Sequence, residues 1–230
     1  IAVLITITIQ AFRMAAEPFF FNKSKEENAK KTYARVMKFF VIACCFMFLC
    51  IGLYLDVFRW IFTHLTDPAW AEGLNIVPLL ALGNIFLGIY YNLSIWYKLT
   101  NRNMTGAMIT LAGAAVTIIL NIALIPIWHY YGAALATFCC YFFMMIISYR
   151  MGKKHYPIPY ATRKLTAYVV LSLLIYLLHM GLTAWISDSL LFSILLGTAM
   201  LTFFLWFVKK VEIKELRKIG LMKTNLQSST

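Results

Sequence analysis

Arg13 and Glu17 are the residues of this sequence whose chemistry most needs explaining. They stand four apart in IAVLITITIQAFRMAAEPFFF, a long apolar run. On a helix, positions i and i+4 share a face, so guanidinium and carboxylate meet. The run ends near Asn22, which puts Arg13 ~13 Å inward at ~1.5 Å per residue. That is close to the middle of a hydrocarbon layer ~30 Å thick. An arginine there costs ~2.5–3.5 kcal/mol even on the lenient insertion scale, and intramembrane charges mark substrate or ion paths. The pair is therefore expected to face a water-filled cavity, with Arg13 open to an anionic substrate and Glu17 orienting it. The competing reading is a structural ion pair, or an arginine that snorkels to the headgroups. Pro18 disfavours helical geometry at Glu17 and predicts a kink or a stop there.

Other polar residues inside apolar runs are Asn84, Asn92, Asn121, Tyr90, Tyr91, Tyr97, Thr110, Thr117 and His179. Tyr90, Tyr91 and Tyr97 could line a sugar path, because aromatic faces pack against sugar rings, or serve as belt or core residues; Tyr90, Asn92 and Tyr97 are the further candidates for substrate contact. Asn84 and Asn121 suit hydrogen bonds between helices, worth ~0.6 kcal/mol each. His129 and His155 fall at the ends of runs. No other charge lies deep in a run.

The sequence holds no phosphate-cradling glycine loop, no HExxH, no Ser/His/Asp pattern and no acidic cluster for Mg²⁺. A membrane-embedded polymerase or acyltransferase needs a sizeable outer loop or an embedded His/Asp pair, and neither is legible. No enzymatic activity, cofactor or metal is expected. Cys44, Cys45, Cys50, Cys139 and Cys140 all lie within apolar runs and read as small packing residues.

The elements that must position these residues are transmembrane helices. Of 230 residues, 62% are hydrophobic and 13% charged, against ~45–50% and ~25% in soluble domains. Seven spans are expected, at about 1–21, 37–57, 75–97, 104–127 and 131–149, then 165–186 and 189–208. A basic tail occupies 209–230. The chain opens with Ile1 inside an apolar run, with no charged n-region or cleavage site, so it reads as the C-terminal part of a longer protein rather than a signal peptide.

Net charge +12 would suggest nucleic acid in a soluble protein, but here the charges fall in alternate loops and no nucleic acid is expected. One face holds Lys23, Lys25, Lys30, Lys31 and Arg35, then Lys98 and Arg102. It also holds Arg150, Lys153, Lys154, Arg163 and Lys164, and the tail from Lys209 to Lys223. Lys38 joins them at the start of the second span. The other face has Arg59 alone. The positive-inside rule then makes the basic face and the C-terminus cytoplasmic.

On the opposite face, Phe58, Trp60, Phe62 and Trp70 predict a short interfacial helix. The tail KKVEIKELRKIG alternates basic residues with Val211, Ile213, Leu216 and Ile219. It is expected to continue the last helix, lie against anionic membrane lipid and stop at Gly220, with TNLQSST disordered. Gly106–Thr110, Gly113–Thr117 and Gly132–Ala136 are small-xxx-small spacings that predict close packing of the fourth and fifth spans. Pro78 and Pro126 sit near span ends, where proline costs a helix least.

Two stretches carry a family resemblance. IQAFRMAAEPFFF, followed by a basic loop and TYARVMKFF, is one. NIVPLLALGNIFLGIYYNLSIWYKLTNR, continuing to NIALIPIWHYYGAALATFCCY, is the other. The most specific piece is LN-x-x-LIP-x-x-x-x-x-GAA-x-AT, from Leu120 to Thr137. Over about 1–155 the chain resembles polysaccharide flippases of the multidrug/oligosaccharidyl-lipid/polysaccharide exporter superfamily. The last two spans correspond to its fourteen-helix members by position only.

The resemblance implies an all-α, MATE-like fold of two lobes working by alternating access, with this chain as helices eight to fourteen and the N-terminal lobe missing. An even-numbered first helix runs outside to inside, which agrees with the orientation taken from charge. The implied function is transport of an undecaprenyl-diphosphate-linked oligosaccharide from the inner to the outer leaflet of a bacterial inner membrane, for surface polysaccharide or lipopolysaccharide. Arg13 would then meet the diphosphate or an acidic sugar. A multidrug/cation antiporter or a lipid II flippase shares the fold; a drug antiporter should bury acidic residues, and here Glu17 alone qualifies.

Overall fold

A helix whose neighbours are lipid and other helices gains little from hydrophobic transfer, so side-chain fit decides its packing. The computed structural model describes residues 2–65, 72–186 and 189–227, with side chains for 3–64, 72–186 and 189–213. Its order is α1 (Ala2–Lys23), α2 (Ala29–Leu53), α3 (Leu55–Leu65), a 3₁₀ turn (Gly73–Ile76) and α4 (Val77–Leu93). Then come α5 (Ile95–Leu99), α6 (Asn103–His155), α7 (Thr162–Ile186) and α8 (Leu190–Gln227). Among the described residues there is no strand. Six helical stretches are long and apolar enough to cross a membrane. The chain is an all-helical, multi-pass membrane protein.

The organising element is α2. Met37, Val41, Cys44, Cys45, Phe48 and Leu49 recur at helical spacing and are all buried. Ile5 and Ile9 of α1, Ala81 and Ile85 of α4, Ile175 of α7 and Phe204 of α8 complete that core. Three free cysteines, Cys44, Cys45 and Cys140, are buried. On α1 the buried stripe is Ile5, Ile9, Ala16 and Phe20, while Leu4, Ile7 and Met14 are uncovered. The Tyr33 hydroxyl donates to the Phe20 carbonyl at 2.8 Å, fixing the end of α1 on α2.

Between Asn103 and His155 the helix breaks at His129, with φ 48° and ψ −125°. The two arms then fold back on each other. The Cys140 thiol donates to the Gly113 carbonyl at 3.2 Å. A Cβ on Gly132 would stand 2.5 Å from the Leu124 carbonyl oxygen, so only glycine lets the arms close at the turn. Of the three small-residue spacings, Gly106, Gly113, Gly132 and Ala136 are buried. Thr110 and Thr117 instead turn their hydroxyls to their own helix, donating to the carbonyls of Gly106 and Gly113.

Several expectations need correcting. Pro18 neither ends α1 nor removes Glu17 from it, since the helix runs on to Lys23. Proline there removes one intrahelical donor, and the packed Ala16 and Phe20 on either side hold the helix together. The second arm of α6 continues to His155, beyond the expected end at 149. A short helix is present in that stretch as α3: Phe58 and Phe62 pack on the core while Trp60 is exposed. Trp70 lies outside the described residues, as do Ser187 and Asp188 of the last interhelical joint. The last helix passes Gly220 and runs to Gln227, so the expected stop and the start of disorder at Thr224 are not observed. The side chains of Leu216 and Ile219 lie outside the described set.

Candidate functional site

Arg13 and Glu17 flank the buried stripe of α1. They line a small cavity with Phe12, Tyr91, Asn92 and Ser94. The two charged groups are 3.9 Å apart, each side chain a little over one-third exposed. Glu17 has a closer partner in Lys98, at the end of α5. Lys98 was legible only as a loop charge, because it meets Glu17 across 81 positions of sequence. Two cations therefore share one carboxylate, which leaves a surplus of positive charge.

The guanidinium carbon of Arg13 lies 4.7 Å from the centre of the Tyr91 ring. Gln10 Nε2 reaches the Tyr91 hydroxyl at 3.5 Å. A cation held on an aromatic face gains ~0.5–2 kcal/mol and keeps its in-plane N–H groups available. Next to it, Asn92 is buried and donates through Nδ2 to the Gly88 carbonyl at 3.2 Å. Its Oδ1 accepts no hydrogen bond among the described residues. Ser94 interrupts the helix between α4 and α5, donating its hydroxyl to the Tyr91 carbonyl at 2.6 Å. The cavity itself is about 10 Å³, room for about one water. The expected water-filled cavity is thus closed here, because Phe12, Phe20 and Phe40 fill it from α1 and α2.

The tyrosines divide differently from expectation. Tyr91, not its neighbour, faces Arg13. Tyr90 turns to α6, its hydroxyl 3.2 Å from Thr110 Oγ1 and 3.5 Å from the Tyr97 hydroxyl. Tyr97 packs over Gly106. A step of one residue is ~100° on a helix, so adjacent tyrosines must face different neighbours. Asn121 Oδ1 has no partner among the described residues, so no hydrogen bond between helices runs through that oxygen. His155 Nδ1 donates to the Met151 carbonyl at 3.0 Å, and its ring stacks on Trp96 with centroids 5.6 Å apart.

Two polar clusters escape sequence reading. The first lies in the stretch read as a lipid-facing tail. Glu212 of α8 is fully buried and accepts from Lys38 Nζ at 2.5 Å, the Tyr168 hydroxyl at 2.7 Å and Lys164 Nζ at 3.2 Å. The tail residue expected among lipid headgroups instead ties α8 to α2 and α7. The reversed sign of Glu212 within a basic tail was the one signal available for it.

The second joins three helices through one serine. His179 of α7, Ser193 of α8 and Asp56 of α3 converge at the end of the bundle away from the basic loops. The Ser193 hydroxyl donates to Asp56 Oδ2 at 2.7 Å. His179 Nε2 stands 3.2 Å from the Ser193 carbonyl and 3.5 Å from its hydroxyl oxygen. A carbonyl can only accept, so Nε2 carries the hydrogen. It cannot then take the serine proton, which points to Asp56. This is not the geometry of an activated serine nucleophile.

Another cavity, about 360 Å³, lies under the linker between α6 and α7, lined by Trp96, Lys153, Tyr156 and Tyr160. Burial pushes the Tyr156 and Tyr160 hydroxyls above the usual phenol range, so both stay neutral donors at physiological pH. Among the described residues no three His, Cys, Asp or Glu side chains gather as a metal site. Comparison with protein-family models, curated proteins and solved structures finds no match to this chain.

Proposed function

We propose that the chain is the C-terminal lobe of a MATE-like flippase that moves a lipid-linked oligosaccharide from the inner to the outer leaflet by alternating access. The observation that carries this reading is Arg13 within a membrane-spanning helix, held against Tyr91 while its carboxylate is drawn to Lys98. A surplus cation beside an orphaned amide oxygen at Asn92 suits an anionic, hydrogen-bonding headgroup such as a diphosphate. Counted as two arms, α6 makes seven spans, with the N-terminus of α1 on the face opposite the basic loops. The uncovered face of α1, with Leu4, Ile7 and Met14, suits the packing of a second lobe. The closed state of the Arg13 cavity is then one of two alternating states. A bacterial inner membrane, with the basic loops and C-terminus in the cytoplasm, fits the charge asymmetry.

The test is Arg13→Ala in a cell whose surface polysaccharide depends on this protein, at matched protein level. Loss of the polysaccharide is expected, with partial retention in Arg13→Lys, which keeps the charge but not the planar fork. Unchanged polysaccharide in Arg13→Ala would remove the assignment.

A further inference from the structure

Helices α6 and α7 follow each other in sequence but scarcely approach each other in space. Instead α6 packs on α4, while α7 packs on α2 and α8. Residues 156–161 bridge the gap at the basic-loop end. Between the two helices lies a cavity of about 440 Å³. Leu82 and Phe86 wall it from α4, Met145 from α6, and Val169 and Leu173 from α7. Among the described residues no charged side chain lines it. Phe142 and Val170, on its two sides, are 40% and 47% exposed, so it opens laterally between the helices.

Apolar walls keep water out, and an empty slot would forfeit the dispersion contacts of its lining. In a bilayer the neighbouring hydrocarbon is an acyl chain. The depth suits one. From Thr162 to Leu173 the cavity follows α7 for ~16 Å at ~1.5 Å per residue. That is about one leaflet of a hydrocarbon layer ~30 Å thick.

At the basic-loop end this slot meets the 360 Å³ cavity under the linker, and the two share Leu93, Tyr149 and Tyr160. There the chemistry changes. Lys153 lines the second cavity, beside the neutral phenols of Tyr156 and Tyr160. Lys30 Nζ stands 4.6 Å from the centre of the Tyr156 ring. Arg163 precedes Thr166 and Val170 by three and seven residues on α7, which places it on the helix face that lines the slot. Among the described residues none of Lys30, Lys153 and Arg163 pairs with a carboxylate, and no acidic side chain lines either cavity.

We infer that the slot between α6 and α7 is the site of one anionic phospholipid from the leaflet on the basic-loop side. One acyl chain lies along α7, and the phosphate sits at Lys153 and Arg163. Lysine serves the phosphate as a point charge and arginine as a two-pronged donor. The lipid supplies the packing that α6 and α7 do not give each other. The site shares no lining residue with the Arg13 cavity, so it stands whether or not the transport reading does.

The experiment takes the full chain in detergent, stripped of lipid. It is offered phosphatidylglycerol or phosphatidylcholine with the same acyl chains, and retained lipid is counted by native mass spectrometry. One phosphatidylglycerol per chain is expected, held at least about fivefold more tightly than phosphatidylcholine. Lys153→Gln and Arg163→Gln should each weaken phosphatidylglycerol about fivefold and leave phosphatidylcholine unchanged. Val170→Trp obstructs the lateral opening and should weaken both lipids alike. Lys209→Gln with Lys210→Gln, at the start of the tail, should weaken neither. All five positions are exposed, so each variant should melt with the unaltered chain when lipid is absent. Failure to retain phosphatidylglycerol, or equal retention of the two lipids by the unaltered chain, overturns the inference. So does phosphatidylglycerol binding that Val170→Trp leaves unchanged, that only the tail variant weakens, or that inorganic phosphate displaces.

Discussion

Glu212→Ala is expected to be among the most destabilising single changes in the bundle. The Lys38 and Glu212 side chains are 5% and 0% exposed, so the pair is out of reach of both water and headgroups. Removing one partner of such a pair costs about 3–5 kcal/mol, because the other charge stays buried. The Tyr168 hydroxyl also loses its hydrogen bond to this carboxylate, and a bond to a charged group contributes about 1.5–3 kcal/mol; the two losses share one carboxylate and do not add. On a chain of this length the expected fall in melting temperature is on the order of 10 °C.

Lys164 bonds the same carboxylate but is 46% exposed, so Lys164→Ala should cost only about 0–1 kcal/mol. Lys38→Met with Glu212→Leu removes both charges at similar volume and should recover most of the loss. The readout is built into the protein. Cys44 and Cys45 are 2% and 0% exposed, so a thiol-reactive fluorophore reports unfolding as the detergent-solubilised protein is heated at one scan rate. If Glu212→Ala melts within about 2 °C of the unaltered chain, the carboxylate does not hold α8 in place. If the double variant melts as low as the single one, buried charge is not the cause.

Two further changes act on the α6 turn. His129→Gly should raise stability by about 1 kcal/mol, because φ 48° with ψ −125° is a conformation that suits glycine and strains histidine; the same thermal assay checks it. Gly132→Ala should lower the melting temperature and the yield of folded protein, since its Cβ meets the Leu124 backbone at 2.5 Å. Gly181→Ala is its control: nothing lies within 4 Å of that position on α7, and helix propensity alone should add up to ~1 kcal/mol.

The helical class and most helix positions were legible because hydropathy and charge are local properties, read within a window of ~20 residues. The short helix α3 was legible for the same reason. So was the tight fold-back of α6, since the small residues at Gly113 and Gly132 announce close approach wherever they are brought together. The site was legible only in part. Arg13 stood out by depth, and Glu17 by its i+4 spacing. Tyr91 could not be told from Tyr90, because which of two adjacent residues faces a neighbour depends on how the whole helix is rotated.

Sequence alone determined that this protein is helical, with several stretches apolar enough to cross a membrane, and that Arg13 stands deep within one of them. Tertiary structure decided which polar groups meet. Lys98 reaches Glu17 across 81 positions, Lys38 reaches Glu212 across 174, and Ser193 reaches Asp56 across 137. A polar side chain in a low-dielectric bundle must find a partner on another helix, and helix rotation and crossing set that choice. No short stretch of sequence records those two quantities.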